Sequence, residues 1–116
     1  MKMKQVVRIE NGIAFVLSFY LFTLLDFPVW LFFLLLMIPD ITMVGYAFNN
    51  KIGAKVYNFG HSLVVPLLLT IGYFFYLNEY LLLTIIIWVA HIFMDRFLGF
   101  GLKYEDSFKS THIHRL

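Results

Sequence analysis

Trp88-Val89-Ala90-His91-Ile92-Phe93-Met94-Asp95-Arg96 closes the last long apolar run of the chain, and its reading decides how the rest is read. The run is apolar enough for a bilayer, yet it carries a histidine and an aspartate four residues apart. On a helix that spacing puts both side chains on one face, about 5–6 Å apart. Ionisable groups in an apolar span are costly and point to function, so their partners are sought in the other runs. Those runs offer Glu10, Asp40 and His61, with Asn58 one turn before His61.

Composition sets the solvent. Of 116 residues, 61% are hydrophobic and only 14% charged. A soluble domain of this size cannot hide so much Leu, Ile and Phe, whereas a bilayer can. The absence of cysteine excludes disulfides, thiolate zinc sites and iron–sulfur clusters. A net charge of +2 is too small to suggest nucleic acid. The first apolar run follows Lys2, Lys4 and Arg8, as a signal peptide would. Glu10 near its start and the lack of a small-x-small cleavage site favour a retained helix.

The pattern predicts an all-α, polytopic membrane protein: one domain, residues 1–116, built as an antiparallel four-helix transmembrane bundle. The expected helices run from about Arg8 to Leu25, Val29 to Phe48, Gly53 to Leu77 and Tyr80 to Leu98. Each is long enough to cross the hydrocarbon layer, and the short connections make sequential helices antiparallel. Pro66 is expected to bend the third helix. Gly99 and Gly101 end the fourth, leaving a short polar tail from Gly99 to Leu116 with Phe100, Tyr104 and Phe108. That tail can lie at headgroup level or fold back over the mouth of the bundle.

Charge placement predicts orientation. Lys2, Lys4, Arg8, Lys51, Lys55, Arg96, Lys103, Lys109 and Arg115 all fall on one side of this topology. The turns on the other side carry only Asp26 and Glu79. The positive-inside rule then makes both termini cytoplasmic. Counting about 1.5 Å per residue, His61, His91 and Asp40 each lie roughly 10–12 Å in from the same face, with Asp95 and Glu10 shallower. The opposite half holds almost only Leu, Ile, Phe and Tyr.

Two imidazoles and two carboxylates form a ligand set for a divalent cation such as zinc, manganese or iron. Two ionised aspartates and a dication carry no net formal charge, which removes much of the cost of burial. Asp40, His61, His91 and Asp95 are the candidate ligands. Glu10 or His112 is the candidate acid/base, Asn58 a ligand-orienting group, and Arg96 an interfacial anchor or phosphate contact. Each has a plainer alternative. His91 and Asp95 can be hydrogen-bonded glue between helices, and Asp40 can satisfy backbone freed by Pro39. Gly53 and Gly60 are read as sites of close helix packing, and Trp30 and Trp88 as lipid-facing or belt residues. His112 and His114 are read as solvated unless His112 closes over the site.

Two resemblances bear on this. The pieces Ile9-Glu10-Asn11-Gly12, Pro39-Asp40-Ile41, Gly60-His61-Ser62 and Ala90-His91-Ile92-Phe93-Met94-Asp95 resemble, in order, the motifs of membrane-bound metal-dependent hydrolases of the YdjM-like family. That resemblance implies metal-ligand roles for Asp40, His61, His91 and Asp95. Thr42 stands where that family has a second aspartate, and Gly60 where it has a threonine. A closer resemblance covers nearly the whole chain. Arg8-x-Glu10-Asn11, Pro39-Asp40-x-x-Met43-x-Gly45-Tyr46, Tyr57-Asn58-x-x-His61 and His91-x-x-x-Asp95-Arg96-x-x-Gly99-x-Gly101-Leu102-Lys103-Tyr104, followed by Phe108-Lys109-x-Thr111-His112, are similar to small bacterial membrane proteins grouped as domain of unknown function 4260. It implies four spans in a bacterial inner membrane.

The functional expectation is a metal-dependent hydrolase of a membrane-accessible ester or phosphoester, with the lipid bilayer as its setting and a lipid or other membrane-accessible small molecule as partner. The alternatives are a small ion or proton transporter, a haem protein ligated by His61 and His91, and a structural subunit. Oligomeric state stays open. The orientation is directly testable: a topology reporter fused at Asn78 should read outside and one after Leu116 inside, and an inside signal at Asn78 would reverse the assignment.

Overall fold

Pro39 and Pro66 divide two of the four apolar runs, and these breaks shape the fold. The computed structural model describes residues 2–103 and 111–113. Among them the protein is all-α: α1 (Met3–Thr23), α2 (Val29–Leu35), a 3₁₀ segment (Ile38–Ala47), α3 (Asn50–His61), α4 (Val64–Tyr76) and α5 (Glu79–Leu98). Met3–Thr23, Val29–Ala47 and Glu79–Leu98 are each long and apolar enough to cross a membrane. The pair α3 and α4, bent by 41°, makes a fourth when counted as one span. The tail residues Tyr104, Phe108, Lys109, His114 and Arg115 lie outside the described residues.

The first helix starts at Met3, ahead of the expected Arg8, because the basic first turns continue the helix beyond the apolar run. The second run is not one α-helix. Pro39 has no N–H to give, and its ring clashes with the carbonyl four residues earlier, so the α geometry stops at Leu35. The chain goes on as a 3₁₀ segment, in which Asp40 N–H bonds Met37 O (3.1 Å). Ten residues of 3₁₀ are unusually many, and such a stretch within a helical run often marks a functional hinge or a sequence under strain. At about 2.0 Å rise per residue the tighter helix keeps the run long enough to cross.

The bend in the third run falls at Ser62 and Leu63, not at Pro66 itself. Pro66 is nonetheless its cause: a continuous helix would need the Pro66 N–H for the Ser62 carbonyl and would drive the ring into it. Side chains fix the helix starts. Asn49 Oδ1 accepts from Ile52 N–H (2.7 Å) at α3, and Asn78 Oδ1 accepts from Tyr80 N–H (2.8 Å) at α5. Gly99, at φ 100°, ends α5 in the left-handed region. Phe100 N–H bonds Asp95 O there (2.7 Å), which turns the tail back toward the bundle.

Packing follows from these breaks. Helix α1 lies along α5, the 3₁₀ segment lies on α3, and α4 returns against α5. One half of the molecule is filled by Phe22, Phe32, Leu36, Leu83, Ile86, Ile87 and Ala90. Phe32 meets Phe19 and Phe22 edge-on at 5.0 and 5.2 Å. Glycine lets α3 approach the 3₁₀ segment: a Cβ at Gly53 would strike the Tyr46 ring, and one at Gly60 the Thr42 side chain. The close-packing reading of both glycines holds. Trp88 is not a belt residue. It is half-buried and donates its indole N–H to Gly60 O (2.7 Å), a carbonyl left over at the end of α3.

These contacts separate two otherwise similar substitutions. Gly60→Ala should lower stability by about 1–3 kcal/mol through overpacking against Thr42. Gly72→Ala, where a Cβ would find only Leu81 at 3.7 Å, should be neutral or stabilising by up to about 1 kcal/mol. Thermal unfolding in a neutral detergent checks both.

Candidate metal centre

The break at Pro39 creates the first element of the site. Because Asp40 N–H turns to Met37 O, the Leu36 carbonyl loses its usual helical partner. It faces α5 instead, where His91 Nδ1–H donates to it (2.7 Å). The second histidine ends α3. Its Nδ1 lies 3.1 Å from Tyr57 O and 3.1 Å from Thr42 Oγ1. The Thr42 hydroxyl donates its own proton to Pro39 O (2.9 Å), so towards His61 it accepts. Both imidazoles therefore carry a proton on Nδ1, assigned from these partners, and each in its neutral form presents a bare Nε2.

The two Nε2 atoms face each other at 3.1 Å. Asp40 Oδ1 lies 3.0 Å from each of them, and Asp95 Oδ2 lies 3.4 Å from His61 Nε2 and 3.2 Å from His91 Nε2. All four ligand atoms fall within 4.8 Å of one another. The histidine side chains are 3% and 0% exposed, while Asp95 is 14% and Asp40 30% exposed, so the cluster opens on its carboxylate side. Four electron-pair acceptors at such distances repel unless a cation or protons stand between them. A cation about 2.0–2.1 Å from each of four tetrahedral ligands sets those ligands about 3.3 Å apart. The separations that involve the histidines, 3.0–3.4 Å, lie near that spacing, so the cluster can hold a metal ion.

The open side leads into a cavity of about 320 Å³. Met37, Met43, Met94, Leu98 and Phe100 give it apolar walls, and Asp40, Asp95, Tyr57 and Lys103 supply its polar groups. The Tyr57 ring stacks on His61 at 3.8 Å, and the Lys103 ammonium lies over that ring, 4.6 Å from its centroid. Burial pushes the Lys103 pKa down, against an upward pull from Asp95 and Asp40.

The other expected site residues are placed elsewhere. Glu10 is exposed on α1 and outside the cluster, and Asn11 bonds its own helix at Val7 O (2.8 Å). Asn58 turns its amide to the tail, donating to Lys103 O (2.8 Å) and accepting from Lys103 N–H (2.6 Å). This clamp, with a bridge between Lys103 and Thr111, folds the described tail back onto the bundle. His112 is half-buried rather than solvated. Its Nδ1 accepts from Leu102 N–H (2.7 Å), and burial, then Arg96, pushes its pKa down. Arg96 is half-buried, and its Nε has no hydrogen-bond partner among the described residues. Haem ligation by His61 and His91 is overturned: axial imidazoles stand on opposite faces of the macrocycle, and 3.1 Å between Nε2 atoms leaves no room for one.

Sequence reasoning missed Thr42, Tyr57 and the Leu36 carbonyl. Thr42 was visible only as a departure from an aspartate motif, and Tyr57 only as the residue one turn before His61. The orienting role gives a test. Thr42→Val removes an acceptor from His61 Nδ1 and should weaken cation binding about 10–100-fold, as measured by competition with a metal indicator, with helix content unchanged.

A family model described as Domain of unknown function (DUF4260) matches residues 4–116. No curated protein and no solved structure matches the chain.

Proposed function

The chain belongs to the DUF4260 family, whose description carries no activity, and we propose from the site itself that this membrane protein is a metal-dependent hydrolase. In this reading it is one four-span domain with both termini in the cytoplasm, and Asp40, His61, His91 and Asp95 hold one divalent cation, zinc, manganese or iron. The observation that supports it most is the pair of bare Nε2 atoms 3.1 Å apart, flanked by two carboxylate oxygens. Polar glue between helices would pair donors with acceptors, whereas this cluster sets acceptor against acceptor.

A divalent cation supplies Lewis acidity to a water and to a carbonyl or phosphoryl oxygen. The chain supplies the rest. His61 and His91 are held in one tautomer by backbone carbonyls and Thr42. Asp40, the most exposed member, would hold the cation with one carboxylate oxygen and have the other free to take a proton from an attacking water. Neither Glu10, exposed on α1, nor His112, committed to Leu102, is needed for that step. The Met37, Met43 and Met94 walls receive the apolar part of an ester or phosphoester arriving from the bilayer. The Phe22 and Phe32 core fills the opposite half, which favours a site reached from one side over a transport path.

Two measurements test the reading in sequence. Purified protein supplied with zinc, manganese or iron should hold about one cation per chain, and His61→Ala, His91→Ala and Asp40→Asn should each lose most of it. The double variant should lose little more, because ligands of one site act as a unit. Metal should also fall as pH is lowered, since protons compete for the same atoms. The loaded wild type should then cleave chromogenic aryl esters or phosphodiesters, with turnover following metal content across the variants. A loaded protein inert to both classes would remove the hydrolase and leave the metal centre.

A further inference from the structure

We propose that a groove between α1 and α5 binds one anionic phospholipid, its phosphate on Arg8 and one acyl chain along α1. Two adjoining cavities, of about 280 and 470 Å³, share Ile9 and Phe97 and together make a single groove. Its first part is lined by Gln5 and Arg8, and its second by Ile13, Phe15, Val16 and Leu17. Polarity is thus divided along the groove as it is along a lipid, with a headgroup end and a chain end. The apolar lining from Ile9 to Leu17 runs about 12 Å along α1.

The headgroup end is built rather than incidental. Arg8 Nε donates to Phe97 O (2.7 Å), a carbonyl in the last turn of α5. That bond fixes the guanidinium at the mouth of the groove and uses one of its five N–H donors. No carboxylate pairs with Arg8 among the described residues. The remaining donors form a planar fork suited to two phosphate oxygens. Glu10, two positions on, points away from Arg8 around the helix. Lys2 and Lys4 precede it on the same helix end, so the local field is positive.

The chain end depends on Phe97 as well. A Cβ at Gly12 would lie 2.7 Å from the Phe97 ring, so only glycine lets that ring lie flat against α1. The ring then forms the wall shared by both cavities. The lipid would brace the packing of α1 on α5, the helix that carries His91 and Asp95. This proposal stands independently of the metal centre.

Native mass spectrometry tests it on the full chain in neutral detergent, offered equal amounts of phosphatidylglycerol and phosphatidylcholine. The wild type should retain one phosphatidylglycerol per chain, with a preference of about fivefold or more, the order expected for one basic group at the membrane surface. Arg8→Gln should abolish the preference, while Lys51→Gln, in the first turn of α3, should keep it. Ile13→Trp, which fills the groove without touching Arg8, should expel the lipid, and it keeps the test open if Arg8→Gln misfolds. Equal retention of the two lipids by the wild type would overturn the proposal. So would equal losses in Arg8→Gln and Lys51→Gln, or displacement of phosphatidylglycerol by equimolar inorganic phosphate, since the acyl chain would then play no part.

Discussion

Four electron-pair acceptors cannot face one another across about 3 Å in an apolar interior unless something positive stands between them. That constraint organises this protein. His61 and His91 each give their Nδ1 proton to fixed acceptors, and what remains are two bare Nε2 atoms and two carboxylate oxygens aimed at one point. A cation at that point turns mutual repulsion into attraction to a common centre. It would also join the 3₁₀ segment, α3 and α5, which carry the four ligands.

The helix breaks make the convergence possible. An unbroken helix through Pro39 would return the Leu36 carbonyl to Asp40 N–H and leave His91 without its partner. An unbroken helix through Ser62 would carry His61 in mid-span, with no change of direction beyond it. Instead Pro39 frees a carbonyl for one histidine, and Pro66 ends α3 at the other. Gly53 and Gly60 then bring α3 close enough for Thr42 to reach His61. The tail, clamped by Asn58 at Lys103, closes the far side of the Met-lined cavity beside Tyr57.

Much of this was legible in the sequence for a simple reason. Ionisable side chains in apolar runs are rare, and counting rise per residue places them in depth, so Asp40, His61, His91 and Asp95 stood out together. Depth says nothing of direction around a helix. Glu10 has a fitting depth, yet it faces outward from α1. The Leu36 carbonyl was invisible because every residue has a carbonyl, and only the 3₁₀ geometry frees this one. Trp88 looked like a belt residue by type, but the end of α3 left an acceptor within its reach. Asn58 sat beside His61 in sequence, and the tail that claims it lies far along the chain.

The most direct measurement is X-ray absorption at the metal edge on wild-type protein purified from cells supplied with zinc, manganese or iron. The account predicts about one cation per chain, with nitrogen and oxygen ligands at about 2.0–2.2 Å and the outer-shell scattering of two imidazoles. Metal-free protein after that supply, or a bound metal with no imidazole in its shell, would contradict it.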